Sequence, residues 1–189
     1  MTASTDPSAA RTEPPEDYRL LVPRDWFRID LTLDRWRSQL KTFVDQQAVK
    51  RSMSAEARQS LWSTLRNTAE SGASHGSLEL FLKSETTTVV STPATLLVSL
   101  LPMPGDLYAA PRDFASTLAE RKGDKAEVAV ISLPAGETIR VTTATTIDLY
   151  VQVPGEMGYL LLAFSVPISG IKSPMGELCE AIAHSVRWL

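Results

Sequence analysis

The residues able to do chemistry are few and scattered. Cys179 is the only cysteine, and His75 and His184 are the only histidines. A thiolate becomes a useful nucleophile where a nearby cation or helix N-terminus lowers its pKa. Cys179 instead falls inside an apolar stripe, Met175, Leu178, Cys179, Ile182, Val186 and Leu189, which marks a small core residue. His184 follows Glu180 by one helical turn, a spacing that can orient an imidazole or hold a metal ion. With no second His or Cys beside it, the pair is read as a solvated helix face. His75 lies in "SGASHGS", where Gly72 and Gly76 leave room for a ligand to approach, and a turn ahead of a strand accounts for the same residues. Glu177 and Glu180 have polar neighbours and read as solvating charges, not as an acid and base pair. Neither a G-x-S-x-G elbow nor a G-x-G-x-x-G or G-x-x-x-x-G-K-[ST] phosphate loop occurs, which argues against a serine hydrolase, an NTPase and a dinucleotide enzyme. No catalytic residue, cofactor or metal ligand is expected.

Surface recognition is the better use for the unusual side chains. Arg58, Trp62 and Arg66 stand one turn apart on one helix and can present a ring between two guanidinium groups to a partner. Their alternative role is Arg stems covering a partly buried Trp. Phe81, Tyr150 and Trp188 fall on faces that the surrounding pattern marks as polar, and aromatics in such places are enriched at interaction sites. These six residues are the partner-binding candidates. "VPRDWFRIDL" sets Trp26 and Phe27 between Arg24 and Arg28, an arrangement that could stack on bases. The net charge of -3 lacks the basic excess that phosphate neutralisation needs, so no nucleic-acid partner is expected. The alternation of Phe27, Ile29 and Leu31 reads instead as a strand, with Trp26 at the sheet edge, Phe27 in the core, and Arg24 and Arg28 solvated.

The elements that carry these residues follow from periodicity. "YRLLVP" and "WFRIDLT" are extended pieces broken by Pro23 and predict an opening hairpin or one bent strand. Asp34 is placed to cap a helix with Trp36, Leu40, Phe43 and Val44 on one side. A second helix from Ser54 carries Ala57, Leu61, Leu65 and Ala69 and ends by Gly72, giving a helical hairpin at about 34–72. From Gly76 the period becomes two, with Leu78, Leu80 and Leu82 on one face. "ATLLVSLLP" is apolar at nearly every position and reads as a strand covered on both faces. Pro111 starts a short helix that runs to Gly123. Four strands follow, "AEVAVISLP", "ETIRVTTA", "TIDLYVQVP" and "GYLLLAFSVP", whose short turns predict an antiparallel meander with the last strand central. Ser173 caps a closing amphipathic helix with Pro174 at its first position.

The totals agree with that outline. A chain of 189 residues, 43% hydrophobic and 22% charged, suits one α+β domain over 18–189, a mostly antiparallel sheet flanked by helices. Residues 1–17, rich in Ala, Ser, Thr, Pro and acidic residues, read as a disordered tail. No stretch reaches the length of a membrane span and no secretory signal is present, so a cytoplasmic location is expected. The early "VPRDWFRIDL", the strand "GYLLLAFSVP" and the closing "ELCEAIAHSVRWL" resemble the PsbP and Mog-like superfamily. That resemblance implies an α/β/α sandwich around an antiparallel sheet, and a bacterial member that binds or helps assemble other proteins without doing chemistry. The expected function is a non-enzymatic, protein-binding adaptor or assembly factor working through the exposed sheet face or the helical hairpin. A role beside a bacterial secretion system, such as type VII, belongs to this expectation. The alternative is a small-ligand or lipid-binding module with an apolar pocket between sheet and helices.

Overall fold

The computed structural model describes residues 14–84 and 93–189; the first thirteen residues of the expected tail lie outside the described residues. The chain forms β1 (Tyr18–Arg19), β2 (Phe27–Asp30), α1 (Trp36–Lys50), α2 (Ala55–Ser74), β3 (Ser77–Lys83), β4 (Ala94–Pro102), α3 (Pro111–Lys122), β5 (Glu127–Leu133), β6 (Gly136–Thr142), β7 (Thr146–Val153), β8 (Gly158–Ser165), α4 (Pro174–His184) and β9 (Arg187–Trp188). Seven strands pair antiparallel in the order β2-β3-β4-β8-β7-β6-β5, and β1 pairs with β9 apart from them. This is an α+β fold on a mostly antiparallel sheet, with helices packed on both faces. The strand predicted to be central, β8, is the fourth of the seven.

Alternation along the strands decides which helices cover which face. On one face Leu96 and Val98 of β4, Leu160, Leu162 and Phe164 of β8, and Ile147, Leu149 and Val151 of β7 are all buried together with Cys179, Ile182 and Ala183 of α4. Full burial of a side chain such as Leu162 stabilises the fold by about 1.5–3 kcal/mol. The opposite face is covered at its two ends by separate helices. α1 and α2 bury Trp36, Leu40, Phe43, Leu61 and Leu65 against Ile29, Leu80 and Leu82. α3 buries Ala115 and Leu118 against Ile139, Val141 and Tyr159.

Local signals explain three of the four helix starts among the described residues. The Ser54 hydroxyl accepts the Ala57 N–H at 3.1 Å, and Ser173 does the same for Gly176 at 3.3 Å. Pro111 and Pro174 open α3 and α4, where a missing N–H costs nothing. Asp34 does not cap α1: the helix begins at Trp36 behind Arg35, whose side chain makes no capping bond.

Three expectations about the ends of the chain are corrected. β1 and β2 do not form a hairpin or one bent strand, because β1 pairs with β9 across the molecule. The closing helix stops at His184, so Trp188 stands in β9 and Leu189, 55% exposed, leaves the apolar stripe. Trp26 is 5% exposed and sits in the core under α4, whereas Phe27 is half-buried with its ring 5.4 Å from that of Phe43. Glu16 and Asp17, expected within the tail, exchange backbone hydrogen bonds with Leu189.

Candidate functional site

The middle of the sheet presents a trough on the side of α2 and α3. α2 packs on β3 and reaches Leu97 of β4, while α3 packs on β5 and β6 and reaches Tyr150 of β7 and Tyr159 of β8, which leaves a trough along the middle of the sheet between them.

Register places the trough floor in rows. Thr95, Ser165 and Thr146 stand abreast at one end, then Leu97, Ala163 and Asp148, then Ser99, Leu161 and Tyr150, then Leu101, Tyr159 and Gln152. In the first two rows every one of these side chains is half-buried, while their neighbours on the α4 face, Leu96, Phe164 and Ile147, are buried. The last row is closed over. Tyr108 stacks on Tyr159 at 6.2 Å and accepts a hydrogen bond from Gln152, and the Tyr159 hydroxyl donates to the Ala109 carbonyl at 2.6 Å. Burial, reinforced by Tyr108, raises the Tyr159 pKa above its ordinary value.

The α2 wall holds a cleft of about 550 Å³ lined by Asn67, Thr68, Ser71, Gly72 and His75 above Leu97, Ser99, Leu101 and Leu161. Gly72 makes the close approach possible, since a Cβ there would lie 3.0 Å from Leu97 Cδ1. The Ser77 and Ser99 hydroxyls satisfy each other at 2.7 Å beneath it. His75 closes α2 by donating its Nδ1–H to the Ser71 carbonyl at 2.7 Å. On the α3 wall Phe114 meets the Tyr150 ring edge-on at 5.3 Å.

Asp148 is the one charge on this floor. Burial raises its pKa above the ordinary carboxylate value, opposed by the field of Lys122 at the end of α3. Tyr150, two residues along the same face, is raised by burial and then by Asp148. Neither an ion pair nor a hydrogen bond reaches the Asp148 side chain among the described residues. Sequence reading missed this residue because its alternation with Ile147 and Leu149 marked it as facing water.

The polar notch of about 540 Å³ on the other face is different in kind. There Glu79 accepts from the Tyr18 hydroxyl at 2.8 Å and pairs with Arg28, whose side chain stays exposed. Burial, then Glu79, push the Tyr18 pKa far up. Tyr18, Glu79 and Arg28 partner one another there, which makes the cluster a clasp holding β1 to β2 and β3.

The sequence-predicted partner residues do not converge. Arg58 is exposed and pairs with Asp45 at 2.5 Å; Arg66 lies 3.9 Å from Glu70; Trp62 is half-buried against the α1 and α2 core. Phe81 is not on a polar face: it is 7% exposed and belongs to the core under α4, because the face of β3 opposite Leu80 and Leu82 is also covered. Trp188 is half-buried and donates its indole N–H to the Ala135 carbonyl at 2.7 Å. Only Tyr150 reaches the trough. Glu180, read as a solvating charge, pairs with Arg140 of β6 at 2.6 Å.

No family model, curated protein or solved structure matches the chain. Among the described residues no helix is long and apolar enough to cross a membrane, and no group of three or more His, Cys, Asp or Glu could hold a metal ion.

Proposed function

We propose that the protein is a non-enzymatic adaptor or assembly factor that seats one segment of a partner protein in the trough between α2 and α3. The observation that carries this reading is the floor itself, two rows of half-buried side chains between α2 and α3. An amphipathic helix laid there would complete the burial that β4, β8 and β7 have only on the α4 side. The chemistry-bearing residues support leaving catalysis out. His75 and His184 each spend Nδ1 on a backbone carbonyl one turn earlier, and Cys179 is fully buried in α4. The proposed setting is the bacterial cytoplasm, beside a secretion machine, in keeping with the resemblance to the PsbP and Mog-like superfamily.

A second reading draws on the cleft under α2, whose volume falls in the range of small-ligand sites of about 300–1,000 Å³. There an apolar ligand would rest on Leu97 and Leu161, with Asn67 and Ser71 orienting it.

A photo-reactive amino acid placed at Leu161, compared with one at exposed Ser116 on α3, tests the adaptor. A discrete protein adduct in the native cell at Leu161, absent at Ser116, is expected. The same adduct from both positions, or none from Leu161, would count against the trough. A small-molecule adduct at Leu161 would favour the second reading.

A further inference from the structure

Six carboxylates are half-buried among the described residues: Asp30, Asp45, Glu70, Glu79, Asp148 and Glu180. Five of them are held. Asp30 accepts from Thr32, Asp45 from Lys41 and Arg58, Glu70 lies against Arg37 and Arg66, Glu79 against Arg28, and Glu180 against Arg140. Asp148 alone stands without such a partner. Partial desolvation disfavours the ionised form of a carboxylate, and a cation placed beside it offsets that cost.

Resting on the adaptor reading, we propose that the segment seated in the trough is an amphipathic helix whose apolar face carries one Lys or Arg, placed to pair with Asp148. The row that contains Asp148 is shaped for such a side chain. Ala163, the smallest side chain of the row, lies between Leu97 and Asp148. A Lys or Arg stem can rest on Leu97 and Ala163 while its charged head meets Asp148. The next row, with Leu161, offers an apolar floor one turn along the incoming helix. The charged and titratable groups facing Asp148 are Lys122 from α3 and Tyr150 from its own strand. Lys122 acts on Asp148 through its field, and no ion pair joins the two among the described residues.

The test is a selection of displayed helical peptides, about four turns long with randomised faces, against the immobilised full chain. Their site is mapped by shifts in the methyl signals of Leu97, Leu161 and Ala163. Enriched peptides should share an apolar stripe interrupted by one Lys or Arg. Replacing that residue by norleucine, or making D148N, should each weaken the best peptide at least about tenfold, and the two changes together should add little more. Affinity of the basic peptide should fall on acidification as Asp148 takes up a proton, while the norleucine peptide changes little. Peptides that shift the trough methyls yet show no basic preference and ignore D148N would overturn the Asp148 pairing and leave the adaptor reading standing. Enriched peptides that leave those methyls unmoved, or no enrichment at all, would overturn both.

Discussion

At the scale of the residue, Asp148 sets the most distinctive expectation. Its carboxyl is raised by burial, so the folded chain binds its proton more tightly than the unfolded chain does. Stability therefore falls as pH rises from the ordinary aspartate value through the raised one. Asp25, Asp30 and Asp45 are lowered, chiefly by hydrogen bonds from Lys83, Thr32 and Lys41, and act in the opposite sense. Their contribution is present above the unfolded pKa and is lost on acidification through the folded value. Comparing wild type with D148N isolates the single residue. D148N should melt higher at neutral pH, and the gap should close in acid; a gap constant with pH would mean that Asp148 is not desolvated in the folded state. The buried face gives the ordinary contrast. Leu162 is fully buried beneath α4, and L162A should cost about 2–5 kcal/mol in urea unfolding.

At the scale of the element, the ends of helices are where single atoms decide. S54A removes the acceptor for the Ala57 N–H and should cost about 1 kcal/mol, read as a lower urea midpoint with unchanged slope. G176A is harsher. A Cβ at Gly176 would lie 1.9 Å from the Ile171 carbonyl oxygen, so α4 and the loop before it must part; a loss of about 3 kcal/mol or failure to fold is expected. These elements also mark what was legible in advance. Ser54, Pro111 and Ser173 with Pro174 announced three helix starts, and the unbroken apolarity of "GYLLLAFSVP" placed β8 at the sheet centre. Phe81 was misplaced because alternation tells the two faces of a strand apart without telling whether both are covered. The alternation of Ile147, Leu149 and Val151 with Asp148 and Tyr150 marks the latter two as facing water for the same reason. Their face is neither solvent nor core but the floor between two helices, and that depends on α2 and α3 standing apart, which no local pattern encodes. β9 was absorbed into the last helix because Val186 continues its stripe and is indeed buried, although the backbone has already turned.

At the scale of the whole molecule, the two faces of the sheet are unequal. The α4 face is a continuous core that carries stability, while the opposite face is divided between the helical hairpin and α3. Dividing it leaves the trough, with the strands beneath joining the halves on either side of it. The pairing of β1 with β9 adds a property of another sort. The Glu16 N–H meets the Leu189 carbonyl at 3.3 Å, and the Leu189 N–H meets the Asp17 carbonyl at 2.9 Å. Residues distant in the chain thus lie side by side, as the two arms of a hairpin do. Chain order is then a matter of where the loop is cut. A circular permutant, with Leu189 linked to Glu16 through a short Gly-Ser turn and new ends opened between Ser52 and Met53, should fold to the same far-ultraviolet spectrum. Its melting temperature should stay close to that of the parent. Failure to fold would mean that the α1 and α2 hairpin must be continuous to form. Success would give an adaptor whose fusion points lie on the hairpin, so that a reporter could be attached away from the joined ends.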